Sequence, residues 1–198
     1  QLCQTNHTKI INNNITNNDQ GIGISLGGSS NSIVGNDITN NDDGIYLYSS
    51  SNNNTISGNN IIANNRAGID LRDSSKNNSI SGNNITNNYH GIELYSSSDY
   101  NSISGNNITA NNCGILLDYS SNSIISGNNI TANSWSGIWL EYSSNDNIIR
   151  GNVIGWTYSD GLRLRSHSSN NVIYRNDFLK NARQVDSESV NVWDDGYP

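Results

Sequence analysis

Isoleucine and leucine recur along this chain in pairs separated by one residue, and a glycine precedes each pair. The runs are Ile45-Tyr-Leu47, Ile69-Asp-Leu71, Ile92-Glu-Leu94, Ile115-Leu-Leu117, Ile138-Trp-Leu140 and Leu162-Arg-Leu164. A period of two predicts a strand with one buried face. The glycines, Gly21, Gly44, Gly68, Gly91, Gly114, Gly137 and Gly161, fall in steps of 23 or 24 residues. Between them lie segments such as Asn78-Ser-Ile80-Ser-Gly-Asn83-Asn-Ile85-Thr. Its two isoleucines are five apart, so straight alternation would place them on opposite faces. A bend at Gly-Asn returns both to the inside, because Gly and Asn tolerate left-handed backbone. A further corner is expected at Asn87-Asn88 and at Asn111-Asn112.

Each repeat therefore predicts three short strands. No segment has helical periodicity, and Asn-Gly, the strongest short hairpin signal, does not occur. The expected fold is all-β: a parallel β-solenoid of about 7–8 rungs, on the order of 35 Å long, with its repeat domain over 1–190 and a tail over 191–198. Equivalent residues should stack one rung apart. One ladder reads Asn36, Asn59, Asn83, Asn106, Asn128, Asn152, Asn176. A second reads Asn18, Asn41, Asn64, Asn88, Asn111, Asn133, Asn181, interrupted by Thr157. Stacked amides hydrogen-bond along the column and satisfy corner groups that would cost about 1–3 kcal/mol each if buried unpaired.

Composition agrees: 40 of 198 residues are Asn and 26 are Ile, so most Asn is architectural. No apolar run is long enough for a transmembrane helix. A net charge of −7 argues against nucleic-acid partners, which require a basic surface. Cys3 and Cys113 fall about four rungs apart, too far for a disulfide, and are expected to be free thiols.

The Ile-Ser-Gly-Asn-Asn-Ile-Thr units at 80–86, 103–109 and 125–131, with the variant at 56–62, resemble the NosD-like group of β-helix repeats. These are also called carbohydrate-binding and sugar-hydrolysis repeats. The resemblance runs from about residue 6 to 190 and implies a right-handed, single-stranded parallel β-helix, secreted or on the cell surface. The tail Asn191-Val-Trp193-Asp194-Asp195-Gly196-Tyr197-Pro198 resembles the segment that follows such repeats in archaeal cell-surface proteins. NosD also implies copper, but copper favours Met, Cys or clustered His. There is no Met, and His7, His90 and His167 fall on different rungs. No metal ligand set is assigned. Calcium is more open than copper, since Asp42-Asp43, Asp160 and Asp194-Asp195 offer hard oxygen ligands, although paired acids in loops are more often simply solvated.

Function should lie on outward positions that vary. The outer positions of the Gly-Ile-x-Leu strands do so, with an expected flat face carrying Tyr46, Tyr48, Arg72, Tyr95, Trp139, Arg163 and Arg165 as carbohydrate contacts. Aromatic faces pack on sugar C–H surfaces, and charged groups bond hydroxyls and carboxylates. Asp70, Glu93, Asp118, Glu141 and His90 are the catalytic candidates, because stacked acids approach the carboxyl separations of glycosidases. Any stacked acids in a solenoid do so, and a solvated charged face would look similar. The Tyr-Gly-x-Asp-Pro-His type motif of alginate epimerases is absent; Tyr158-Ser-Asp160-Gly does not match it. Sequons include Asn84, Asn107 and Asn129 inside the strand motif, and Asn53 and Asn77 in loops, which are the better glycosylation sites.

The first reading is a rigid scaffold contacting a polysaccharide or cell-surface glycan; the alternatives are a lyase, epimerase or glycosidase with its cleft on the Gly-Ile-x-Leu face, and a structural protein that self-associates end to end. Neither end shows a capping amphipathic helix, so the edge strands require flanking sequence or another copy.

Overall fold

The computed structural model describes residues 2–194. Twenty-five strands, all parallel where paired, form three sheets of nine, eight and eight strands. Each strand pairs only with its equivalents one turn away, as in a solenoid. The long-strand sheet collects the Gly-Ile-x-Leu segments, for example His90–Tyr95, Cys113–Asp118 and Ser136–Glu141. The second sheet holds strands such as Ser79–Ser81, and the third strands such as Asn84–Thr86. The core is a set of aliphatic columns, including Ile80, Ile85, Ile92 and Leu94, all fully buried.

Each rung bends at residues with positive φ, one set at the turn that leaves the long strand and three at the corners that flank the short strands. At the first corner it is Asn77, Tyr100 or Asn122, at the second Gly82, Gly105 or Gly127, and at the third Asn87, Ala110 or Ala132. The next residue turns its side chain inward. At the second and third corners these are the two expected Asn ladders. In the second-corner ladder Asn83 Nδ2 donates to Asn106 Oδ1 at 2.9 Å, and Asn106 Nδ2 to Asn128 Oδ1 at 3.0 Å. At the interruption, Thr157 Oγ1 donates to Asn181 Oδ1 at 2.9 Å, while Asn133 Nδ2 turns to the Ile108 carbonyl.

A third ladder at the first corner was not anticipated. Asn31 joins Asn54, Asn54 joins Asn78, and Asn78 joins Asn101; Ser123 then substitutes before Asn147 and Asn171. The Asn78 and Asn101 that begin the quoted motif units are its members. The column continues beyond residue 190: Asn171 Nδ2 donates to Asn191 Oδ1, and Val192 bridges Val172.

The marker glycines are explained by space. A Cβ on Gly91 would lie 2.5 Å from the Gly114 carbonyl oxygen and 2.7 Å from Ile108 Cγ2. Both thiols are free, Cys3 exposed and Cys113 buried.

Candidate functional site

The outer face of the long-strand sheet carries columns of unlike residues. In one, Tyr46 pairs with Asp70, Asp70 with Glu93, Glu93 with Leu116, Leu116 with Trp139, and Trp139 with Arg163. On one side of it lie His90, Cys113, Ser136 and Asp160. On the other, Tyr95 pairs with Asp118, and Asp118 with Glu141.

This face is less open than the flat strip expected from sequence. Asp70 is wholly buried and Leu116 nearly so, while Tyr46, Arg72, Glu93, Tyr95, Asp118, Trp139, Glu141, Arg163 and Arg165 are half-buried; Tyr48 is the most open, at 37%. Long neighbours on adjacent rungs lie over the shorter ones. As a catalytic candidate Asp70 is therefore corrected: it has no surface for a ligand to touch.

Two clusters result. In the first, Arg72 Nε contacts both carboxylate oxygens of Asp70, at 2.9 and 2.7 Å, and its Nη2 reaches Glu93 Oε1 at 3.3 Å. The Arg72 guanidinium lies 5.3 Å from the centre of the Tyr95 ring. His90 Nδ1 meets Glu93 Oε2 at 3.2 Å, leaving Nε2 as its other ring nitrogen. Burial and the neighbouring Glu93 charge push the Asp70 carboxyl up to about 8 despite Arg72. Glu93 is also raised by burial, but the hydrogen bond and charge of His90, with Arg72, hold it below the usual carboxylate range.

In the second cluster the Arg163 guanidinium sits 4.9 Å from the Trp139 ring centre, and Trp135 stacks on Trp139 at 6.0 Å. Burial, then Glu141, pushes Asp118 up to about 6; burial also raises Glu141. Arg165 pairs with Asp186 and Glu188. Six polar atoms of this cluster are buried without a hydrogen-bond partner: Asp118 Oδ1, Ser136 Oγ, Trp139 Nε1, Arg165 Nε, and Asp160 Oδ2 and Arg163 Nε, which face each other as an ion pair at 3.9 Å. Among the described residues only Thr5 Oγ1 shares that condition.

Trp135 and Arg66 were missed by sequence reasoning, although a signal existed. From ladder Asn to marker Gly is three residues in most rungs but four from Asn64 to Gly68 and from Asn133 to Gly137. Arg66 and Trp135 lie in these lengthened connections. Arg66 Nη1 pairs with Asp43 Oδ2 at 3.1 Å, and Trp135 extends the Trp139 stack.

The other expected sites lie elsewhere. Asn53 and Asn77 are exposed on the loop before the second sheet, both with φ near 57°. Asn84, Asn107 and Asn129 form an external ladder on the third sheet, each Nδ2 donating to the preceding Asn Oδ1 at 2.8–2.9 Å. Asp43 and Asp160 bind Arg66 and Arg183, and Asp195 lies outside the described residues. Two surface concavities of about 410 and 310 Å³ lie at the second corner, one beside Asn12, Asp37 and Asn60, the other beside Arg150, Tyr174 and Arg175.

Comparison with known proteins places this geometry. The family model described as "Periplasmic copper-binding protein (NosD)" matches residues 1–123, and that described as "Right handed beta helix region" matches 80–197. No curated protein matches. Among solved structures, the periplasmic alginate epimerase AlgG is 21% identical with a TM-score of 0.76, over 90% of this chain and 48% of that one. The A-module of the Azotobacter vinelandii mannuronan C-5 epimerase AlgE6 is 16% identical (TM-score 0.77; 98% and 59% coverage). An alginate lyase from Paenibacillus sp. is 17% identical (TM-score 0.70; 88% and 74%). The chain thus spans about half the length of the epimerases it resembles, and these likenesses show the fold. The copper of the NosD description does not fit the donors present. His90 is engaged with Glu93, Cys113 is buried against the Ile115 carbonyl, and among the described residues no three His, Cys, Asp or Glu side chains converge. With both family models covering more than half of it, the chain belongs to the NosD family of right-handed parallel β-helix proteins.

Proposed function

We propose that this β-helix is an extracytoplasmic scaffold and carbohydrate-contacting module, and that its contact surface is the outer face of the long-strand sheet from Arg72 and Tyr95 to Trp139, Arg163 and Arg165. The observation that carries this reading is the pairing of guanidinium groups with half-buried aromatic rings on this face, Arg72 at 5.3 Å from the Tyr95 ring centre and Arg163 at 4.9 Å from that of Trp139. Aromatic faces pack on sugar C–H groups, and the guanidinium donors beside them suit a ligand rich in hydroxyls and carboxylates. The periplasmic epimerase among the structural neighbours, and the word periplasmic in the family description, support a location outside the cytoplasm.

One observation favours a second reading, catalysis. His90 Nδ1 is held by Glu93, so when the imidazole is neutral and Nδ1 carries its proton, Nε2 is the nitrogen that would take a proton from a sugar ring, and Arg72 beside Glu93 suits a uronate carboxylate. A panel of acidic and neutral polysaccharides separates the readings. Retention without product supports the contact module. Unsaturated uronate or new reducing ends, lost in Glu93→Gln, would move the reading to an enzyme. No retention and no product would remove both.

A further inference from the structure

Beyond the long-strand face, at the turn that leaves it, Tyr119 and Tyr142 occupy equivalent places one rung apart. Their rings stack at 5.2 Å with 10° between planes, and they are 53% and 43% exposed. Both have left-handed backbone, with φ of 50° and 47°. The same backbone sign recurs at the equivalent residues Leu26, Ser49 and Asp73, so it belongs to the turn of every rung and sets the direction in which the two side chains leave it. The rungs on either side place Ser96 and Ser166 at the same point with the same backbone sign. The stack therefore ends on both sides without another ring to cover it. Each tyrosine directly follows an acid, Asp118 and Glu141, and these two acids pair across the rungs.

We infer that Tyr119 and Tyr142 form a second stacking platform, for the ring of a neutral sugar whose hydroxyls donate to Asp118 and Glu141. This deepens the proposed glycan-contacting function and rests on it. A flat aromatic pair offers an apolar surface to sugar C–H groups, and the adjacent carboxylates accept hydroxyl protons. Two neighbouring acids in a chain of net charge −7 disfavour a uronate at this point. The arginines lie on the other side: Trp139, with Arg163 over its ring, is three residues before Tyr142, roughly 10 Å along an extended strand. That separation lets one glycan touch both aromatic groups, running across the solenoid rather than down it.

The test is affinity electrophoresis of the chain through gels containing laminarin, mannan or alginate. The double variant Tyr119→Ser/Tyr142→Ser is chosen because Ser already occupies this position on both flanking rungs, and circular dichroism and melting should be unchanged. We expect retardation by a neutral glycan in the parent, weakened at least about tenfold in the double variant, as for loss of a central aromatic anchor. Unchanged retardation in the double variant, with loss in Trp139→Ala, would overturn the platform and leave the face reading intact. Retardation by alginate alone would also overturn the platform but not glycan contact. No retardation of the parent by any of the three would overturn both.

Discussion

Asn106 and Asn107 are neighbours in sequence and belong to different regions of the molecule. Asn106 points into the second corner, where it is 1% exposed; Asn107 points outward from the third sheet and is exposed. Both stand in asparagine ladders with similar distances, 3.0 Å from Asn106 to Asn128 and 2.9 Å from Asn107 to Asn84. What differs is the alternative. When the inner ladder is broken, its groups have no water to turn to. The outer ladder exchanges its bonds for hydration. Stacking geometry alone therefore does not make a column structural; burial does. The outer long-strand face shows the converse, since the same rung spacing there carries residues that change at every step. The inner columns repeat because each residue must match its neighbours, and the outer face is free to vary.

The largest expected effect is on the inner ladder. Asn106 Nδ2 donates to Ile80 O, Ser104 O and Asn128 Oδ1, and its Oδ1 accepts from Asn83 N and Nδ2. Asn106→Ala strands several of these groups in a dry interior. At ~1–3 kcal/mol for each unsatisfied group, partly relieved by relaxation, a loss of about 3–5 kcal/mol is expected in urea unfolding. A loss under about 1 kcal/mol would mean that water enters the corner and that burial does not separate the two regions.

Gly91→Ala should follow, with about 2–3 kcal/mol lost, because the clash is with a backbone oxygen in the next rung that cannot swing away. The control is Gly82→Ala. That glycine has φ of +63° and open space around it, so only the backbone penalty of about 1 kcal/mol applies. Equal melting temperatures for the two variants would reject the packing explanation of the glycine column.

These effects track what could be read from the sequence. The repeat, the three strands and two of the ladders were legible because inner positions obey a strict rule that one chain displays seven or eight times. The first-corner ladder was passed over because Ser123 interrupts it and because its asparagines read as motif beginnings. The candidate site was legible only as a list of outward residues. That Asp70 lies beneath its neighbours depends on side-chain lengths across adjacent rungs. No periodicity encodes that.

A subtler effect concerns pH. Asp70 titrates at about 8 in the folded chain against an ordinary value of 3.8. Below pH 4 the group is protonated whether folded or unfolded. As pH rises from about 4 to 8 the unfolded chain releases this proton while the folded chain retains it, so stability falls across that window. Asp70→Asn removes the titration and should flatten the decline. It should not abolish it, since Asp43, Asp118 and Glu141 are also raised. Melting temperatures of parent and variant that fall in parallel from pH 4 to 8 would show Asp70 to be ionised throughout, held by Arg72.

The smallest effect returns to the outer ladder. Asn107→Ala removes the bond to Asn84 Oδ1 and the acceptor used by Asn129 Nδ2, at 2.9 and 2.8 Å. Both remaining partners reach solvent, and the Ile108 beside it stays wholly buried. Surface substitutions of this kind usually stay within about 0.5 kcal/mol. Urea unfolding of Asn107→Ala beside Asn106→Ala is thus a direct reading of burial at constant residue type and nearly constant hydrogen-bond length. If the outer substitution cost as much as the inner one, the amide column itself would be stabilising wherever it stands, and the external run from Asp37 to Asn129 would count as part of the frame.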